Sequence, residues 1–235
     1  MTKKSLALVA AIAVMATASL ASAASIKGSR HDLTTGGVNV TASPTQQVCA
    51  FCHAPHNAYQ KIPLWNRSNP TNNFQLYSSS TMKNHFGSQV SALTSDSISL
   101  FCMSCHDGGA LGGRIHNRTQ IKDWTGVAVA GTAFTADAIT GTRKSVLGSD
   151  LRDDHPINFL VNDTTGINKN SLQASLATSS PGWTSGGTKL PLFKSARGAA
   201  TLECSSCHAV HDPANTPFLR LSNAGSNLCL ACHDK

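Results

Sequence analysis

All eight cysteines of this 235-residue chain fall in four C-x-x-C-H motifs. They are Cys49-Ala-Phe-Cys52-His53, Cys102-Met-Ser-Cys105-His106, Cys204-Ser-Ser-Cys207-His208 and Cys229-Leu-Ala-Cys232-His233. The pattern constrains the fold more than any hydrophobic periodicity, because C-x-x-C-H is the attachment signature of c-type haem. Two intervening residues set the sulfurs one haem edge apart, and the His that follows reaches the iron from the same turn of chain. C-x-x-C alone also serves zinc ribbons and redox dithiols. A zinc ribbon does not require His after every second Cys, and a disulfide framework has no use for it. The motifs are therefore read as sites for four c-type haems. Cys49, Cys52, Cys102, Cys105, Cys204, Cys207, Cys229 and Cys232 are the attachment residues, and His53, His106, His208 and His233 the proximal ligands.

Such a chain has less need of a protein-only core. Hydrophobic residues are 40% and aromatic residues only 6%, a lean supply that four large apolar haems would supplement. The expected fold is a multihaem cytochrome c: mostly irregular coil with a few short helices, wrapped around a stacked haem core. Ser95 to His106 predicts one short helix, capped by Ser95 and ended by Gly108-Gly109. A second is expected from about Ser226 to His233, and Gly126 to Gly131 reads as one strand. No repeat is visible beyond the haem motifs.

Residues 1–23 predict a secretory signal peptide, leaving 24–235 as one tetrahaem domain. Lys3 and Lys4 form a positive start, an apolar run follows, and Ala21-Ser22-Ala23 supplies small residues for cleavage. The strongly apolar run is short and Ala-rich for a membrane span. No Cys stands at the cleavage point, so a lipid anchor has no support, and no later stretch is long enough to cross a bilayer. Export fits a haem attachment made outside the bacterial cytoplasm.

The net charge of +7 suggests a basic protein. Removing the two leader lysines leaves about +5, and four haems bring eight propionates against four ferric charges. The oxidised holoprotein then sits near about +1 and the reduced one near about −3. The cofactor accounts for the basic balance, and nucleic-acid binding loses its warrant.

Ten histidines leave six beyond the proximal set: His31, His56, His85, His116, His155 and His211. Methionine is the other common sixth ligand. Met1 and Met15 lie in the leader and Met103 inside a motif, so only Met82 is available and bis-His ligation is expected. His56 and His211 each lie three residues after a proximal His. Such a His cannot swing to the far face of its neighbour's haem, but it can reach another haem packed alongside. His155 precedes Pro156, which biases it to extended backbone. On these grounds alone, His31 ranks no higher than His85 or His116.

The stretches Ser29-Arg30-His31-Asp32-Leu33, VCAFCHAPHNA with Pro63-Leu64-Trp65-Asn66-Arg67, FCMSCHDG, Asp154-His155-Pro156-Ile157-Asn158-Phe159, and CSSCHAVHDP with NLCLACH together resemble a known family. It is the tetrahaem cytochromes of the outer-membrane cytochrome E type, extracellular cytochromes that polymerise into conducting filaments. The resemblance implies bis-His haems in a close-packed chain, with one axial His given by a neighbouring subunit. It favours His31, His56, His155 and His211 as distal ligands. His56, in the first motif, is the expected donor between subunits of a homo-polymer, with His31 as runner-up. His211 is expected to act within its own chain, near the fourth haem.

The expected function is electron transfer, without catalysis, to other redox proteins or extracellular metal acceptors, from the cell surface or the extracellular space. The alternatives are a diffusible periplasmic carrier and a multihaem oxidoreductase with one open haem. Asp153-Asp154 and Asp123 form no acid/base constellation for the latter.

Overall fold

The computed structural model describes residues 26–34, 45–61, 63–78, 93–109, 111–122, 145–161, 183–185 and 188–232. The expected leader, the Gly126–Gly131 strand, Met82, His85 and His233 lie outside these residues. Much of the described chain is coil, threaded by three short helices and seven short strands: α1 (Ser99–His106), α2 (Cys204–Cys207), α3 (Asn227–Leu230), β1 (Gln75–Leu76), β2 (Asp150–Leu151), β3 (Phe159–Leu160), β4 (Trp183–Ser185), β5 (Thr188–Leu190), β6 (Phe193–Ser195) and β7 (Gly198–Leu202). The helices coincide with the second, third and fourth motifs. The first motif sits on a 3-10 turn, Val48–Phe51.

α1 begins four residues later than expected. Ser95 does not cap it; the Ser97 hydroxyl accepts the Ser99 N–H at 3.2 Å instead. The helix stops as predicted before Gly108, whose φ of +79° a side chain would strain. α3 is shorter than expected: it starts only at Asn227, because Gly225 and Ser226 take left-handed backbone just before it, and it ends at Leu230.

The expectation of helices in coil omitted the sheets. β3, β7 and β6 form an antiparallel sheet in the order β3-β7-β6, β1 pairs with β2 in parallel, and β4 pairs with β5. The three-stranded sheet runs directly into the third motif, since β7 ends at Leu202 and α2 starts at Cys204. Leu160 packs over Gly198, where a Cβ would lie 2.5 Å from Leu160 Cδ1.

Among the described residues most buried apolar side chains fall into three small clusters. Phe51, Ile115 and Ile121 lie by the first motif; Phe74, Leu76, Leu100, Met103 and Leu151 lie under α1; Val161, Leu190, Leu192, Leu202, Leu221 and Ala231 lie under the sheet and the last two motifs. Met103 is fully buried as a core residue. Each cluster backs one or two motifs and none is large. Among the described residues no helix is long and apolar enough to cross a membrane.

Candidate haem centres

In the first and third motifs the chain folds in the same way. After His53 it returns so that Ala54 N–H donates to Leu64 O at 2.9 Å and Asn66 N–H to Cys52 O at 2.8 Å. After His208, Ala209 N–H donates to Phe218 O at 2.7 Å and Arg220 N–H to Cys207 O at 2.8 Å. Antiparallel bridges join His53 to Trp65 and His208 to Leu219. Leu64 and Phe218, each just after a proline, share left-handed backbone with φ of 61° and 62°. This is a repeat beyond the haem motifs, which the sequence reading missed. Its signal was C-H-A-x-H followed by a proline and a bulky apolar residue, obscured by a one-residue difference in loop length.

The repeat holds the proximal imidazoles. His53 Nδ1–H donates to Pro63 O at 2.8 Å and His208 Nδ1–H to Pro217 O at 3.0 Å. His106 Nδ1–H donates to Ser145 O at 2.6 Å. A carbonyl only accepts, so each ring carries its proton on Nδ1 and leaves Nε2 as the lone-pair nitrogen. That tautomer and orientation are what an iron ligand requires. The three carbonyls were not anticipated from sequence, because any residue type can supply one.

Two of these rings face a second imidazole. His31 and His106 have ring centroids 6.1 Å apart, and so do His53 and His211. Metal–imidazole bonds are about 2 Å, so two rings on opposite faces of one iron have centroids about 6 Å apart. Burial, followed by the neighbouring His106, His208 and His211, lowers the His31 pKa to about 4 and keeps the ring in its neutral, metal-binding form. The buried His31 Nδ1 has no hydrogen-bond partner. His211 faces the first motif's proximal His from its place beside the third motif, as a His three residues past its own proximal neighbour can. His56 and His155 are both exposed; His155 Nδ1 contacts Pro156 O at 3.0 Å. His116 is exposed and packs edge-on to Tyr59.

The motif cysteines come together in sequence order. The Cys102 thiol hydrogen-bonds Cys204; that bond and burial hold Cys102 well above the ordinary thiol value, while the same bond lowers Cys204 against the opposing effect of burial. Burial pushes Cys52 up to about 12; Cys105 adds to the shift, the Arg67 guanidinium opposes it, and Cys49 adds again. Burial raises Cys207 likewise, with Cys204 and Cys229 beside it. The second motif thus meets the third, while the first and second, and the third and fourth, lie near enough to influence one another electrostatically. Among the described residues no three His, Cys, Asp or Glu side chains gather as for a bare metal ion.

Other groups also fit a haem. Arg67 is the largest fully buried side chain. Its Nε donates to Ser104 Oγ at 3.2 Å and its Nη2 to the carbonyls of Ser104 and Leu111 at 3.0 and 2.7 Å, while Nη1 has no partner. A buried cation with a spare donor calls for an anion, and haem carries propionates. Tyr59, Leu64, Val210 and Leu230 are large apolar side chains left exposed within or just after the motifs, where a haem face would cover them.

The description of the doubled CXXCH motif matches residues 197–235, the stretch that holds α2, α3 and the last two motifs. This match supports a multihaem c-type cytochrome. Haem binding and electron transfer follow from the same motif. No curated protein matches the chain. Within such a cytochrome, His53, His106 and His208 are the residues whose geometry suits an axial ligand most directly.

Proposed function

We propose that this protein transfers electrons through four covalently bound, bis-His c-type haems and performs no catalysis of its own. The observation that carries the reading is the pair of facing imidazoles, His31 with His106 and His53 with His211, each 6.1 Å apart between centroids. The haem, when bound, supplies a one-electron change at its iron. The chain's part is to hold both faces closed with neutral imidazoles, so that neither substrate nor water replaces a ligand. The Cys102–Cys204 hydrogen bond, with the electrostatic influence of Cys105 on Cys52 and of Cys229 on Cys207, supports a haem series that runs in sequence order.

The same reading extends to assembly. His31 has ring contacts inside its own chain while His56 is exposed, which favours His56 over His31 as the donor between subunits. In the repeat, His56 occupies the position that His211 occupies in the third motif, and His211 reaches back to the first. A second copy of the chain placed ahead of the first would receive His56 at a haem of its own second half. Such head-to-tail contacts do not close and propagate as fibres. The proposed product is an extracellular cytochrome filament that carries respiratory electrons to other redox proteins or to metal acceptors outside the cell. The predicted leader supports export.

Mass spectrometry of the mature protein tests the haem number: four haem additions are expected, and fewer would remove at least one motif from the reading. Carbon monoxide added to the reduced protein tests ligation. Stoichiometric, rapid binding would favour an oxidoreductase with an open haem. Electron microscopy of wild type and His56→Ala tests assembly, with filaments expected only for wild type. Filaments from His56→Ala with every haem low-spin would overturn the assignment. A wild-type monomer with four low-spin haems would leave a diffusible carrier.

A further inference from the structure

Glu203 is a buried carboxylate with 1% exposure, one residue before Cys204, and haem attachment gives it no task. Its Oε2 accepts the Ser97 hydroxyl at 2.6 Å and the Ser99 hydroxyl at 2.5 Å, while Oε1 accepts Asn158 Nδ2–H at 2.8 Å. These are neutral donors aimed at an acceptor, the surroundings of an ionised carboxylate. Ser97 and Ser99 form the start of α1, the helix of the second motif. Glu203 forms the start of α2, the helix of the third, where its N–H donates to Ser206 Oγ at 3.0 Å. The clamp also runs the other way, since Cys204 N–H donates to Ser99 Oγ at 3.1 Å. Asn158 is itself held, taking the Thr94 N–H at 3.0 Å and Arg197 Nε–H at 3.2 Å on its Oδ1. The carboxylate therefore sits at the junction between two motif helices, beside the point where Cys102 meets Cys204.

We propose that Glu203 is a positioning residue for electron transfer between the second and third haems, and that its charge also holds both at a lower reduction potential. The proposal rests on the reading of the motifs as haem sites. The two roles have separate causes. The hydrogen bonds from Ser97, Ser99 and Asn158 fix α1 against α2 and so fix the approach of the two haem edges. The charge, away from water, interacts strongly with any change of charge nearby and favours the oxidised iron. Two motif helices joined through neutral groups alone would be clamped equally well without this second effect. The buried charge is costly to keep, which gives its presence at this junction a functional sense.

Glu203→Gln separates the two roles, because the amide keeps the shape and can still bond the Ser and Asn side chains. The holoprotein variant is expected to keep its haem mass and its low-spin spectrum. In a redox titration followed by haem-methyl NMR, part of the haem population should shift to higher potential. At fixed solution potential the reduced-to-oxidised ratio of the affected haems rises on the order of tenfold, which for a one-electron couple is about 59 mV. Ser99→Ala keeps the charge and loosens the clamp, so it should leave that ratio close to wild type while broadening the spectrum of the same haems. The proposal is overturned if Glu203→Gln titrates like wild type throughout, or if Ser99→Ala reproduces its shift. A wild-type protein without haem at the second and third motifs would instead refute the reading beneath it.

Discussion

His31 and His211 owe their positions to a few local bonds. The turn that presents His31 is closed by Asp32, whose carboxylate accepts Gly28 N–H at 2.7 Å, Thr34 N–H at 3.0 Å and the Thr34 hydroxyl at 2.6 Å. Asp32→Ala is expected to cost about 1–2 kcal/mol and to loosen His31, measured as lower thermal stability with a partial high-spin signal. Removing the imidazole itself has a sharper outcome. His31→Ala and His211→Ala should each keep every haem attached yet give one high-spin haem that binds carbon monoxide, whereas His116→Ala should not. Absorption spectra of the three reduced variants check this. The spacing of the motif cysteines and of the His after each pair is legible in the sequence, because covalent chemistry would dictate it. The partner of each proximal His was not legible, because it is set by which segments pack together. His211 lies beside the third motif in the chain and beside His53 of the first in space.

At the scale of elements, the hairpins after the first and third motifs do more than connect. In Pro63-Leu64-Trp65-Asn66-Arg67 the Pro63 carbonyl fixes His53, and Trp65 packs edge-on to His53 and tilted against Phe101 of α1. Asn66 bonds Ala50 O, and Arg67 grips α1 through Ser104. One short stretch thus joins the first motif to the second. Arg67 also lies where α1 exposes its last carbonyls, while Glu203 lies at the other end, so two buried charges complement the helix dipole. Arg67→Lys loses the planar fork that spans these acceptors and should lower stability by about 2 kcal/mol, read as an earlier unfolding midpoint in guanidinium. Leu64 is 45% exposed and left-handed, so Leu64→Gly should be tolerated with full haem loading. Leu64→Val should lower the melting temperature, by about 1 kcal/mol in stability. α2 on the third motif was not expected, while the two helices on the second and fourth motifs were visible in the sequence. The sheet β3-β7-β6 was not, since its strands are two, three and five residues long and leave almost no period to read.

Among the described residues the buried apolar side chains form three modest clusters set among the motifs. A chain of this length ordinarily buries a single large core, so folding here should depend on the cofactor. Protein made without haem attachment is expected to show no cooperative thermal transition and to bind a hydrophobic dye. The attached form should unfold in one step, and paired calorimetry and dye binding check both. The lean aromatic content anticipated this arrangement. What composition could not show is how the clusters divide, one to the first motif, one to the second and one to the last two.

Three proximal imidazoles are oriented by main-chain oxygen, which no side-chain replacement can delete. With haem bound as proposed, the ligand strength at these sites would therefore be insulated from most point changes in the surrounding loops. A designer who wished to retune this protein would find those positions unresponsive. The adjustable handles are the few side chains with charge inside the fold. The conducting path would then keep a constant metal environment while its voltage profile changed, so that wiring and driving force become separable properties of one chain.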